Sequence, residues 1–277
     1  MFKLMTDFFA SWFTNSSNSL TLMFSGIILA IAFGAVWLIG YWPPLFKKHW
    51  LWAVLIGSAI LALAAVTFIQ IPLQIWSRQA LTYFWNEEAL MRRLLLASIP
   101  QILLSGLVQE GAKLVPIVVY WWRRNMNIDL KLGLVIGAVA GVGFGIFEAV
   151  WAHDAIFTTG WSRETMQSSG LMALAGFWER FFAVALHIAV SALAGYGLAR
   201  GWGWQFYLLA SFLHAFSNYS VVLLQLGLFT IVHVEIYTAV VATLTTAVVL
   251  WLRWRKSAEL AESVVIPTQI SDSEPAE

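Results

Sequence analysis

The 277 residues contain no cysteine, which excludes disulfides, thiolate metal sites and cysteine nucleophiles. Charge is almost as scarce. Sixteen Lys or Arg and fifteen Asp or Glu make up 11% of the chain, against roughly 25% in a soluble domain. A surface in water could not be covered with so few charges. The net charge of +1 leaves no basic excess to neutralise phosphates, so nucleic acid is excluded as a partner. No stretch of about ten residues alternates apolar and polar side chains, so a β-barrel is not expected. There is no linker rich in Pro, Gly or Ser and no clear internal repeat. What remains is 60% hydrophobic, with 16 tryptophans. This is the composition of a polytopic membrane protein with two interfaces to mark.

A helix needs about 20 apolar residues to cross the hydrocarbon core. Seven stretches qualify: Leu20 to Trp42, Leu51 to Trp76, Leu94 to Trp122, Leu132 to Trp151, Leu171 to Ala199, Trp204 to Leu226 and Phe229 to Trp254. The expected fold is all-α, with a polar cavity between spans three to six. Residues 1–253 are read as one transmembrane domain and 254–277 as a polar, disordered cytoplasmic tail. The first nineteen residues read as a short interfacial segment, and Ser77 to Arg93 as an interfacial helix. Loop Lys and Arg divide nine against five in favour of an external N-terminus and a cytoplasmic C-terminus.

Ionisable side chains are costly inside a membrane, so each is a functional candidate. Spans three to six hold Glu110, Lys113, Glu148, Glu179, Arg180, His187 and His214, with Asn218 one turn beyond His214. Glu110 lies 13 residues from Arg123, Glu148 17 from Lys131, His187 13 from Arg200 and His214 13 from Gly201. At 1.5 Å per residue these four reach a common layer roughly 20 to 26 Å above the inner boundary. In the fourth span Gly133, Gly137, Gly141 and Gly145 step by four and lead to Glu148. Such a face lets helices approach closely and would hold Glu148 away from lipid. His187 and Ser191 share a face of the fifth span. His233 and Glu235 lie near the outer end of the seventh and read as solvated.

The run Val108-Gln109-Glu110-Gly111-Ala112-Lys113 resembles the E-E-x-x-K motif of PrsW-type intramembrane proteases. Gly141 to Glu148 is similar to their glycine-rich second motif. Arg180 followed by His187 resembles the third, and His214-Ala215-Phe216-Ser217-Asn218 the fourth. The last pattern is shared with the wider superfamily of CAAX prenyl endoproteases and bacteriocin-processing proteins, and a YhfC-like branch is also close. The likeness spans about Leu94 to Asn218. It departs from the family pattern at Gln109, where the first Glu of the pair is expected, and at Ala149, where an Asn follows the second-motif Glu.

The resemblance implies an intramembrane endopeptidase of a bacterial cytoplasmic membrane, cutting a membrane-anchored protein or peptide in regulated proteolysis. Peptide hydrolysis needs a water, a base and donors for the oxyanion. In this reading Glu110 is the base and His187 orients the water or protonates the leaving amine. His214 and Asn218 support the oxyanion, Glu148 positions a histidine or adds a second carboxylate, and Lys113, Arg180 and Ser191 support the site. No cofactor is required. Zinc on Glu110, Glu148, His187 and His214 is the metal alternative, although there is no H-E-x-x-H. The same residues could instead form a proton relay in a transporter, or a structural polar network in an inactive receptor of the same fold.

Overall fold

The computed structural model describes residues 3, 5–8, 10, 19–159 and 161–255. Most of the N-terminal segment and nearly all of the polar tail, to which the interfacial and disordered readings apply, therefore lie outside the described residues. Among those described, every regular element is helical and there is no strand. Seven helical segments of the described residues are long and apolar enough to cross a membrane. The main helices are α1 (Leu20–Ile39), α2 (Trp50–Ala65), α3 (Ile71–Phe84), α4 (Ile99–Arg123), α5 (Leu130–Thr158), α6 (Ala175–Ala199), α7 (Gly203–Gln225) and α8 (Ile231–Trp254).

Helices α5 and α6 form the centre of the bundle. Residues 133–145 of α5 and 183–197 of α6 are buried on every face, as expected of helices that are apolar or small all round. The other helices cover them and turn one side to lipid. The α5–α6 pair is the most extensive contact in the molecule, and its closeness has a definite cause. A Cβ added at Gly137 would sit 2.2 Å from the Ser191 carbonyl oxygen, and one at Gly141 2.2 Å from that of His187. Gly133 lies in the same way against Gly195. Gly145 is looser, with Val184 and His187 at 3.3 and 3.4 Å. The opposite side of α5 uses Gly143, whose Cβ would lie 2.1 Å from the Leu55 carbonyl oxygen of α2. The Ser58 hydroxyl, donating to the Ala140 carbonyl at 2.7 Å, reinforces that second contact.

The α5 N-terminus is capped by Asp129, whose carboxylate accepts from the Lys131 and Leu132 amides at 2.9 and 3.0 Å. Such a cap contributes about 1 kcal/mol.

Several boundaries differ from those expected; the fifth span, for one, is helical from Arg163 rather than Leu171, and two others bear on the site. The second span does not stop at Trp76. The chain stays helical from Trp50 to Phe84, through a π-helical turn at Val66–Gln70. Pro72 has no N–H to return to the carbonyl one turn back, and the ladder widens just before it. The interfacial helix is thus reduced to Glu87–Arg92, capped by Asn86. The fourth span also runs past Trp151 to Thr158 and carries His153 into the bundle.

Candidate active site

Four helices bring their ionisable residues to one place. Glu110 and Lys113 come from α4, Glu148 from α5, His187 and Ser191 from α6, and His214 from α7. Glu110 is 1% exposed and Lys113 0%, with His187 and His214 at 4% and 3%. Glu110 is central. Its Oε1 accepts from Lys113 Nζ at 2.5 Å and from His214 Nδ1 at 2.6 Å. Its Oε2 accepts from the Ser191 hydroxyl at 3.2 Å. The three-residue spacing that makes Glu110 and Lys113 neighbours on a helix gives the buried ion pair here.

The second half of the site follows from His187. Lys113 Nζ lies 2.9 Å from its Nδ1. An ammonium group has no lone pair, so Nδ1 must accept. The ring proton then sits on Nε2, which donates to Glu148 Oε2 at 2.7 Å. Glu148 is held in turn by Arg180, with a guanidinium nitrogen 3.3 Å from the same oxygen. Arg180 is also paired in bidentate fashion with Glu179. A chain of contacts therefore runs Glu179–Arg180–Glu148–His187–Lys113–Glu110–His214. The T-shaped contact of His187 with Phe144, ring centroids 5.0 Å apart, fixes the imidazole plane from α5.

Asn218 is not in this chain. It shares the α7 face with His214, but its amide reaches Ser105 Oγ of α4 at 3.5 Å. Gln109, which stands where the family pattern has a glutamate, points the same way. Its Nε2 donates to Gln70 Oε1 at 3.2 Å and to Ser105 Oγ at 3.3 Å, and its Oε1 has no hydrogen-bond partner among the described residues. Glu235 is half-buried rather than solvated, with one carboxylate oxygen buried and unpartnered among the described residues. His233 forms a capping box with Thr230 at the start of α8.

Sequence reasoning missed His153, Gln70 and Ser105. His153 is fully buried and bonds the Gly26 carbonyl of α1 at 3.0 Å. Its signal was available: a histidine five residues beyond Glu148 would have stood out had the span not been ended at Trp151.

Fold and site together define an all-α polytopic membrane protein with a buried Glu–Lys–His centre held between four spans. The family model described as "PrsW family intramembrane metalloprotease" matches residues 47–252, and the chain belongs to that family. It is an integral membrane protein of an intramembrane protease family. Neither the curated proteins nor the solved structures contain a match.

The family description raises the question of a metal. One donor atom each from Glu110, His187 and His214 lies within 4.8 Å of the others, all buried. A carboxylate and two imidazoles suit a zinc-type ion with an open position. His187 also has the support typical of a metal-bound histidine, its second nitrogen donating to a carboxylate. The donor set therefore fits such an ion. Glu148 falls outside that trio and serves as the support of His187. The Lys113 ammonium, between Glu110 and His187, would have to move aside for it.

Proposed function

We propose that this protein is an endopeptidase that hydrolyses a peptide bond of a membrane-anchored protein or peptide, with Glu110 as general base. The observation that carries this reading is the hydrogen bonding of the Glu110 carboxylate. Oε1 accepts two short bonds, whereas Oε2 accepts one longer bond, from Ser191. A carboxylate has about four lone-pair positions, so Oε2 keeps one for a water. The proton of that water passes to Oε2 as its oxygen attacks the scissile carbonyl. Lys113 has three N–H groups and uses two, on Glu110 and His187. We assign the third to stabilising the oxyanion. His214, bonded to Glu110 through Nδ1, orients the base. His187 and Glu148 position Lys113. When the C–N bond breaks, the proton held by Glu110 returns to the leaving amine. Asn218, turned toward Ser105, is assigned the outer wall of the site rather than the oxyanion.

The trio Glu110, His187 and His214 supports a second reading, in which these residues hold a divalent ion. A bound ion would supply Lewis-acid polarisation there. The position of the Lys113 ammonium within the trio favours the metal-free form.

We take an external N-terminus and a cytoplasmic C-terminus from the loop-charge count, a bacterial membrane from the family resemblance, and residues 1–253 as one functional domain. Cleavage of a membrane-anchored reporter in liposomes tests the proposal. Wild-type protein should cut it, and Glu110→Gln and His187→Ala should not. Cleavage by either variant at the wild-type rate would overturn it.

A further inference from the structure

A hydrolase buried among apolar helices must be supplied with water, and one line of polar side chains leads toward the Glu110–Lys113 centre. Gln101, Ser105, Gln109 and Lys113 step by four along α4 and so share one face. The stripe is twelve residues long, about 18 Å at 1.5 Å per residue. Two facing helices complement it. Gln70, in the π-helical turn, and Gln74, in the first turns of α3, lie opposite one side, and Asn218 and His214 of α7 opposite the other.

The contacts are continuous from Gln101 to Gln109, and Lys113 follows one turn further along the same face without a hydrogen bond to Gln109. Gln74 Nε2 donates to the Gln101 carbonyl at 2.9 Å, and Gln101 Nε2 returns to the Gln74 carbonyl at 3.1 Å. Gln70 reaches Gln74 at 3.5 Å, and Gln109 reaches both Gln70 and Ser105. Burial deepens along the line. Gln101 and Gln74 are half-buried, Ser105, Gln109 and Gln70 are buried, and Lys113 is fully enclosed.

Gln109 Oε1 on this line, and Thr67 Oγ1 three residues before Gln70 in the π-helical turn, are buried without a partner among the described residues. Turning the Gln109 amide over would only exchange which of its ends is unpartnered. Leaving such a group unsatisfied costs about 1–3 kcal/mol. Water is the ligand that satisfies scattered donors and acceptors of this kind, where two to four polar partners converge.

We infer that the Gln101–Ser105–Gln109 stripe of α4, with Gln70, Gln74 and Asn218, is a hydrated seam that admits water from the Gln101 end to the Glu110–Lys113 centre. Its purpose rests on the hydrolytic reading, but its hydration is measurable without any substrate. The absence of cysteine makes the measurement direct. Single Gln101→Cys, Ser105→Cys and Gln70→Cys variants are reconstituted in lipid nanodiscs, which leave both faces open. Each is treated with a quaternary-ammonium methanethiosulfonate. The control is Leu103→Cys, on the opposite, lipid-facing side of the same turns. The reagent needs a thiolate, and a thiolate forms only where water reaches.

Ser105→Cys decides the matter, because its position is buried and the substitution is nearly isosteric. The seam predicts that it reacts at least ten times faster than Leu103→Cys, and within ten-fold of Gln101→Cys. Gln70→Cys repeats the measurement from the facing helix. If Ser105→Cys and Gln70→Cys react no faster than Leu103→Cys, the interior is dry along this line and the inference fails. That result would leave the catalytic assignment standing, since peptide cleavage is scored separately.

Discussion

Replacing Gly141 by alanine tests how the packing of α5 on α6 sets the site. The added Cβ would lie 2.2 Å from the His187 carbonyl oxygen and 2.7 Å from the Ile188 Cα. Both are backbone atoms, so no side chain can swing aside. Opening the first contact to 3.0 Å, still tight, requires the helices to part by about 0.8 Å at this level. Overpacking of this kind costs about 1–3 kcal/mol, and rigid backbone on the far side puts it near the upper end. Alanine recovers about 1 kcal/mol of helix propensity, which leaves a net loss of about 2 kcal/mol. The same displacement carries His187 away from Glu148. Their 2.7 Å hydrogen bond would lengthen to roughly 3.5 Å, beyond the useful range, and a misplacement of that size can cost about 100-fold in rate. Reversible unfolding in mixed detergent micelles and reporter cleavage are the two assays. Gly57→Ala is the control, because nothing lies within 4 Å of its added Cβ, and it should be neutral or stabilising. The reasoning is refuted if Gly141→Ala is as stable as Gly57→Ala and cleaves at the wild-type rate.

Other consequences separate structure from chemistry. Glu110→Gln leaves the buried Lys113 ammonium without its anion and should destabilise the fold by about 3–5 kcal/mol. Combining it with Lys113→Met should recover most of that stability in the same unfolding assay, while cleavage stays lost. Glu148→Gln weakens the acceptor for His187 and the pairing with Arg180, so turnover should fall about 10–100-fold, as for other supporting carboxylates. Substrate binding should hold, which a KM-against-kcat measurement will show. Prolonged dialysis against a strong chelator should leave cleavage intact in the metal-free mechanism. Loss of activity that zinc restores would transfer water activation to an ion on Glu110, His187 and His214.

Much of this fold was legible because lipid imposes a simple rule. Apolar runs of sufficient length become spanning helices, and the seven expected spans are found with shifted ends. Axial depth was legible too, and counting residues from the boundaries put Glu110, Glu148, His187 and His214 in one layer. Three of them converge on Lys113 or Glu110, and Glu148 joins through His187. Azimuth was not legible. The rotation of one helix about its axis relative to the next is set by tertiary packing, so Asn218 could be placed beside His214 but not against Ser105. The polar seam was hidden for a related reason. Glutamine and serine carry no charge and do not interrupt a hydrophobic run, and the π-helical turn that brings Gln70 to Gln109 has no simple sequence signature. Proline at position 72 was its one local sign.

The central claim is that Glu110, with Lys113, His187 and His214 around it, performs peptide hydrolysis inside the membrane. The most direct measurement is the rate at which purified protein in liposomes cleaves a membrane-anchored reporter, compared between wild type and the Glu110→Gln/Lys113→Met pair, whose fold should be close to wild type. The account predicts cleavage by the wild type and a rate at least 1,000-fold lower in the double variant, about 4 kcal/mol of transition-state stabilisation. Equal rates in the two proteins would contradict it.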